Sequence, residues 1–155
     1  MKKLISISAL ALGASLSVTA PAIPGGHSDG AVKARQAIMQ LYAFNLGTLG
    51  GMAKGSVPYD AAAAQTAADN FLKAATMDQS AMWPEGTDSG SMPGKSRAKA
   101  EIWANFPDVA EKGKKLAMAA TAMSEAAGKD LDSLKGAIGA IGASCGGCHK
   151  PYRAD

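Results

Sequence analysis

The chain has few residues of several kinds, and each shortage argues against a class of protein. Its 155 residues include two Cys, two His and 5% aromatic residues, and the formal net charge is only +3. Two Cys cannot form a disulfide-dense scaffold. The densest basic cluster is Lys112, Lys114 and Lys115, and so weak a charge with so few aromatic side chains argues against nucleic-acid binding. The length and the 47% of apolar residues instead predict one well-packed soluble domain.

The first 22 residues have the layout of a secretory signal peptide. Lys2 and Lys3 form a basic head, an uncharged apolar stretch follows, and small residues around Ala22 form a cleavage site. The apolar stretch of about 15 residues is shorter than the roughly 20 that cross a bilayer. We therefore predict export to the periplasm of a Gram-negative bacterium, loss of residues 1–22, and a mature domain over residues 23–155 without a membrane span. Loss of the two Lys reduces the net charge from +3 to +1.

The rest of the chain is patterned for helices. Ala is abundant, β-branched residues are sparse, and no window alternates apolar and polar residues as a half-buried strand does. Apolar residues recur at spacings of three and four, which predicts helices at about residues 30–53, 61–77, 107–127 and 131–152. Asp60 and Asp130 are predicted N-caps, and a loop at about 78–95 with a helical turn at about 96–105 joins the second and third helices. This pattern predicts an all-α fold, an antiparallel up-and-down four-helix bundle.

One motif near the C-terminus, Cys145-Gly146-Gly147-Cys148-His149, carries the chemistry. Residues three and four apart lie on one face of a helix. Both sulfurs can therefore reach the two vinyl-derived carbons of one porphyrin, while His149 lies on the same side and can offer an imidazole nitrogen to the iron. Since this spacing is typical of c-type haem attachment, we predict one haem c, with its iron, bound covalently through the two Cys.

Three other interpretations of the motif are weaker. A thioredoxin-like redox pair begins a helix that follows a strand, and no strand is predicted before Ser144. A zinc site needs four ligands, and beyond the motif the sequence offers only His27 and carboxylates. His27 lies in a Gly-rich lead-in before the first helix, and we predict that it binds nothing. A simple disulfide would leave His149 unexplained.

The position of the motif points to a family. Only six residues follow His149, so any sixth iron ligand must come from earlier in the chain. With this arrangement the sequence resembles the class II cytochromes c, the cytochrome c′ family, over about residues 30–155. The resemblance implies a four-helix bundle that holds a covalent haem near its C-terminus. Besides the motif, it is carried by Arg35-Gln36, residues 55–60, residues 83–88, Glu101-Ile102-Trp103 and Tyr152-Arg153.

The resemblance implies roles for the motif and its surroundings. Cys145 and Cys148 would form the thioether bonds, and His149 would be the proximal iron ligand. Arg153, four residues after His149, would lie near that ligand, where a cation influences its electronics. An equally simple interpretation is that Arg153 is a cation at a helix C-terminus, where the helix dipole favours it.

The resemblance also places residues of the first helix and the long loop near the haem. Arg35 and Gln36 would lie at the haem edge, where an Arg can offset the charge of a propionate. The alternative for Arg35 is a solvated surface side chain. Thr87 and Asp88 belong to a stretch of loop that approaches the haem in relatives. The large aromatic side chains are expected to form pocket wall and core: Trp83, Trp103 and Tyr152.

Met39 is the residue on which the function depends. It lies on the apolar seam of the first helix, where it would be core in any case, and it follows Arg35 by four residues. By the resemblance it faces the distal side of the iron. In one branch of the family a Met sulfur binds the iron there as a sixth ligand, and in the other an apolar residue crowds a vacant site. The residue type does not separate the two.

These branches correspond to two functions. The first, which we favour, is an electron carrier that exchanges electrons with a redox partner protein, and His/Met ligation would raise its potential. The alternative is a protein that binds NO or CO at a five-coordinate iron beside Met39. Catalysis is not expected, because a peroxidase-like reaction needs a distal acid or base and none is apparent near Met39. Relatives often form dimers through their first two helices, so a homodimer is a further expectation.

Overall fold

The structure, a computed structural model, describes residues 26–155 and side chains from Ser28 onward. This part of the chain is all-α. Its helices are α1 (Gly26–Ala53), α2 (Ala61–Thr76), α3 (Glu101–Ala104), α4 (Phe106–Ala126) and α5 (Leu131–Tyr152). None of these helices combines the length and the apolar character that a bilayer span requires. The signal peptide predicted at residues 1–22 lies outside the described residues.

Four of the helices form the predicted bundle. α1 packs against α2 and α5, and α4 packs against the same two helices, so α1 and α4 lie at opposite corners. Short links join α1 to α2 and α4 to α5, which favours antiparallel neighbours. A long loop, with one 3₁₀ turn at Ser80–Met82, leads from α2 to the single turn α3. α3 contacts α4 and α5 and so holds the end of this loop against the bundle.

The core consists of large apolar side chains separated by small ones. The large, fully buried apolar side chains are Leu49, Phe71, Met123, Leu134 and Ile141. Burying each of them stabilises the fold by roughly 1.5–3 kcal/mol. The rings of Tyr42 and Phe71 pack with their centroids 4.8 Å apart. Fully buried alanines let the helices approach closely: Ala64, Ala68, Ala120 and Ala127.

Side-chain caps set the starts of α2 and α5, as predicted. The backbone N–H of Ala63 donates to Asp60 Oδ1 at 2.8 Å, and that of Ser133 donates to Asp130 Oδ1 at 2.7 Å. Each carboxylate therefore satisfies a backbone donor that has no partner within its helix.

The first helix is longer than predicted. It begins at Gly26, so the backbone of His27 is helical where a lead-in was expected. Asp29 lies in the first turn, where the helix dipole favours a negative charge. Lys95 Nζ lies 3.1 Å from Asp29 Oδ2, and this pair ties the start of α1 to the long loop.

The helical turn predicted at residues 96–105 is confined to Glu101–Ala104. The residues before it pair instead with the chain that follows α5, through an antiparallel bridge between Ala98 and Arg153. Backbone hydrogen bonds of 3.0 and 2.8 Å lie on either side of this bridge. The end of the long loop is thereby attached to the residues that follow the Cys–His motif in the chain.

Candidate haem site

A cavity of about 780 Å³ opens between α1, α4 and α5, with the end of α2 and the long loop along one side. Cofactor and ligand sites typically measure about 300–1,000 Å³ and have mostly apolar walls with a few polar groups. This cavity has both properties. Its larger apolar lining residues include Met39, Leu46, Trp83, Phe106, Val109 and Leu116.

The three reactive side chains of the motif line this cavity. Cys145, Cys148 and His149 come from the last turns of α5, and each is half-buried. Both thiols are free. The described residues contain no group of three or more His, Cys, Asp or Glu that could hold a metal ion, so the zinc interpretation finds no support in them. Two thiols and an imidazole on one wall of an apolar cavity of this size fit a covalently attached haem.

Burial favours the neutral forms of these three groups. It raises the pKa of the Cys145 and Cys148 thiols. It lowers the pKa of His149, and the positive charges of Arg153 and Arg97 lower this pKa further. Arg153 Nη1 lies 3.3 Å from His149 Nδ1, so the predicted proximity of these two residues is present. At neutral pH the imidazole is uncharged, which is the form that binds a metal ion.

Met39 reaches the same cavity from α1. Its side chain is 37% exposed, so the expectation that it is ordinary core is wrong. The reason is that the seam of α1 faces the cavity at this level instead of packed side chains. Tyr42 and Leu46, three and seven residues further along, line the cavity with it. The structure therefore places one thioether in the cavity that also holds His149.

Arg35 lies beneath the long loop and does not line the cavity. It is 4% exposed, so the solvated-surface interpretation is wrong. Its Nη1 donates to Thr87 Oγ1 at 2.7 Å, and its Nη2 donates to Ser96 Oγ at 2.8 Å. Its guanidinium carbon lies 4.9 Å from the centre of the Trp83 ring. Arg35 thus fixes the loop that supplies Trp83 to the cavity wall.

Other predicted haem contacts also lie away from the cavity lining: Gln36, Thr87, Asp88 and Trp103. Gln36 Nε2 donates to a backbone carbonyl of the loop at 2.7 Å. Ser91 Oγ donates to Asp88 Oδ2 at 2.6 Å, and this hydrogen bond lowers the pKa of Asp88. Trp103 Nε1 donates to the Trp83 carbonyl at 3.0 Å. These side chains hold the loop together, and their contact with a haem stays a prediction.

The aromatic residues expected as pocket wall and core divide between those two roles. Trp83 lines the cavity. Trp103 packs against a small second core in which Tyr152, Ala98 and Ile102 are buried. This second core lies between the end of the loop and the end of α5, so it supports the cavity from behind.

Some cavity residues were not predicted from the sequence. Gln79 Nε2 donates to Tyr42 Oη at 2.9 Å, and both residues line the cavity as a polar pair. The sequence places Tyr42 near Met39 on the same face of the first helix, but it does not show the hydrogen bond with Gln79. Lys112 and Lys114 also line the cavity. Their cluster is visible in the sequence, but the spacing does not show that it borders a cavity.

The chain is similar to known proteins over most of its length. A family model described as Cytochrome C′ matches residues 30–153. Cytochrome c-554 of Cereibacter sphaeroides is 41% identical over 149 residues, which cover 95% of this chain and 96% of the relative. A solved cytochrome c′ from Rhodobacter sphaeroides has a TM-score of 0.79 and 34% identity, and covers 83% of this chain and 98% of its own. A solved ferrous variant of cytochrome c′ from Alcaligenes xylosoxidans with bound NO has a TM-score of 0.73 and 30% identity, and covers 84% and 98%.

Proposed function

Because the chain belongs to the cytochrome c′ family, whose members bind haem c covalently, we propose that it is an exported electron carrier with one haem c. One observation carries this proposal: a single cavity collects two thiols, a neutral imidazole and a thioether, from Cys145, Cys148, His149 and Met39. When bound, the haem iron supplies a one-electron couple between its ferrous and ferric states.

In this proposal the motif on α5 holds the cofactor. Cys145 and Cys148 form the two thioether bonds, and His149 is the proximal iron ligand. The lowered pKa of His149 supports this role, because the imidazole is uncharged at neutral pH. The nitrogen that would bind the iron then has no proton to lose first. Arg153 lies beside Nδ1 of His149. Its positive charge disfavours added positive charge on the imidazole and so influences how strongly His149 donates electrons to the iron.

The cavity wall would support electron transfer in two ways: it excludes water from the haem, and it is rigid. Leu46, Val109 and Leu116 present apolar side chains from α1 and α4. Burial of this kind lowers the local dielectric and, together with the axial ligands, sets the potential of a haem. Because the wall is built on packed helices, few groups can reorient when the charge on the iron changes.

Met39 is the proposed sixth ligand. Its thioether lines the cavity, and its partly exposed side chain is free of tight packing against the core. A Met thioether together with a His imidazole would raise the potential of a haem. This ligand set is suited to electron transfer, since it leaves no open position on the iron.

Optical spectra of the purified protein test the sixth ligand. We expect low-spin spectra in both oxidation states and no response of the reduced protein to CO. Met39→Ala should convert the spectra to high-spin and make the reduced protein bind CO. Met118→Ala is the matched control, because Met118 is 72% exposed and does not line the cavity, and its spectra should equal those of the wild type. A high-spin wild-type protein that shifts with CO would exclude Met39 as a ligand.

Haem attachment is tested separately. The double variant Cys145→Ala, Cys148→Ala should lose haem on a denaturing gel, whereas the wild type should keep it. Each single variant should keep one thioether bond and remain haem-stained. Haem that stays attached to the double variant would refute the proposed attachment.

Gas binding is the second candidate function, and one observation favours it. Among the described residues the lining contains no His apart from His149, and the Tyr42 and Gln79 side chains donate their hydrogen bonds within the protein, which suits NO or CO better than O₂. A solved relative binds NO in its ferrous form. In this alternative Met39 crowds the iron without binding it, so Met39→Ala should speed the association of CO in a protein that is already high-spin.

Export is proposed from the leader at residues 1–22. Expression of the full chain in a Gram-negative host should yield haem-containing protein in the periplasmic fraction. Its mass should correspond to residues 23–155 plus one haem, within a few residues of the cleavage site. Full-length protein retained in the cytoplasm would contradict this part of the proposal.

A further inference from the structure

Positively charged side chains line the cavity or lie next to it. We name them the basic rim: Arg97, Lys112, Lys114, Lys115 and Arg153. Lys112, Lys114 and Arg153 line the cavity itself. Lys112 and Lys115 also line a neighbouring groove of about 260 Å³ that includes Gly147 of the motif. Arg97 joins the rim because its Nε donates to the backbone carbonyl of Ala154, the residue after Arg153, at 3.0 Å.

The rim is poorly neutralised by the protein. Among the residues that the structure describes, no Asp or Glu lines the cavity or the groove. Within residues 28–155, Lys112 alone among the five has a carboxylate within ion-pair distance, Asp108 Oδ2 at 3.5 Å. The charges of the other four residues therefore remain available to an anionic partner.

This local charge contrasts with the charge of the whole chain. Without the predicted leader the net charge is +1, so a distant molecule experiences almost no attraction. Screening limits each charge to about 10 Å at 0.1 M ionic strength. A molecule that comes close therefore responds to the rim and hardly at all to the rest of the surface.

We propose that the basic rim is the docking surface for an acidic redox protein, whose carboxylates border the edge of its own cofactor. The inference rests on the proposed electron transport, because the rim borders the cavity in which the haem would lie. Complementary charge beside that cavity orients the partner as it arrives and raises the association rate. A lipid surface supplies negative charge but no redox centre, and it is the competing occupant.

Small charged oxidants reveal the rim. The reduced protein is mixed with hexacyanoferrate(III), an anion, or with tris(phenanthroline)cobalt(III), a cation, and each probe takes up one electron while the protein loses one. No bond forms or breaks and no proton moves. Raising the salt from about 10 mM to about 300 mM should slow the anionic reaction about tenfold and leave the cationic reaction unchanged or faster.

Matched variants separate local charge from net charge. Lys114→Ala, Lys115→Ala removes two charges from the rim. The control, named the α1 variant, is Lys33→Ala, Lys54→Ala, which removes one exposed charge from α1 and one from the residue that follows it, both outside the two cavities. The rim variant should lose most of the salt dependence with the anion, and the α1 variant should keep it. The proposed role of the rim would be wrong if both variants lost the salt dependence equally, or if the wild type showed no salt dependence.

The occupant is tested by competition at about 0.1 M salt. Poly-glutamate should slow oxidation by hexacyanoferrate(III) in the wild type but not in the rim variant, and vesicles rich in phosphatidylglycerol should not bind the protein. If vesicles bind through the rim and poly-glutamate does not compete, the proposal of an acidic protein partner is wrong and the rim binds a lipid surface. A protein that holds haem but exchanges no electron with either complex would instead refute the proposed electron transport.

Discussion

The hydroxyl of Tyr152 donates a hydrogen bond of 2.6 Å to Oδ2 of Asp108 and so joins α5 to α4 three residues beyond His149. The bond raises the pKa of Tyr152 to about 12 and lowers the pKa of Asp108. The same carboxylate oxygen lies 3.5 Å from Lys112 Nζ. The end of α5, which carries the proposed iron ligand, is therefore fixed to α4 by a charge-assisted contact.

Tyr152→Phe should remove a contribution to stability that is sensitive to alkali. The folded pKa of about 12 lies above the unfolded value of about 10, so the contribution is complete below about pH 10 and is lost as the pH rises through 12. When thermal unfolding is measured from about pH 8 to about pH 12, the difference in Tm between wild type and variant should be constant at first and should then become smaller. A difference that stays constant over the whole range would contradict this assignment.

Asp108→Asn should change the acid limb of the stability profile. Because the folded pKa of Asp108 is lowered, its contribution is present above the unfolded value of about 3.9 and is lost as the pH falls through the folded pKa. The variant should be less stable than the wild type at neutral pH, and the two should converge in acid. Glu111→Gln, an exposed change one turn along α4, should follow the wild-type profile throughout.

Arg35→Ala should lower the free energy of unfolding by about 3 kcal/mol, because it leaves buried acceptors of the loop without donors. Gln36→Ala, the exposed neighbour, should cost about 0.5 kcal/mol. Urea unfolding measures both. If Arg35 serves the loop, its loss should cost the same in the Cys145→Ala, Cys148→Ala protein as in the haem-containing one. A cost confined to the haem-containing protein would show that Arg35 acts on a propionate.

Phe71→Ala should lower the free energy of unfolding by about 3–5 kcal/mol, because it opens a cavity in the packed centre of the bundle. Phe44 provides the matched control, since its side chain is 74% exposed. Phe44→Ala should change the free energy of unfolding by less than about 0.5 kcal/mol. Similar costs for the two variants in chemical denaturation would contradict the burial pattern described for α1 and α2.

Asp60→Ala should cost about 1 kcal/mol by removing the N-cap of α2. Asp60→Asn should cost only a few tenths, because an amide oxygen can accept the same hydrogen bond from the Ala63 N–H. Equilibrium unfolding in urea compares the two. Equal losses for Ala and Asn would mean that the carboxylate acts through its charge and not as a hydrogen-bond acceptor.

The elements that sequence reasoning placed best are those fixed by local chemistry. The start of α5 follows from an Asp at its cap, and its apolar spacing of three and four runs unbroken to Tyr152. The haem motif needs only its own five residues, and the structure places its three reactive side chains on one cavity. Both patterns involve neighbours within one helix, so the sequence contains all the information they need.

The parts that could not be predicted depend on distant segments. Arg35 is predicted at the haem edge, with a solvated surface position as the alternative, and neither shows its burial beneath the loop, because its acceptors at Thr87 and Ser96 lie 52 and 61 residues away. Periodicity places Met39 on the inward face of the first helix, but it does not show that this face borders a cavity at that level. Likewise, the shortened turn before α4 results from pairing with residues beyond α5.

The long loop is attached near its middle and near its end by contacts of large sequence separation, 52 residues from Arg35 to Thr87 and 57 residues from Arg97 to Ala154. Contacts of this kind carry a high entropic cost of closure, so they form late in folding, after the local helices. Until then the loop side of the cavity stays open. We expect a partly folded chain to present Cys145 and Cys148 to an incoming porphyrin, and the loop to close over the site once attachment is complete.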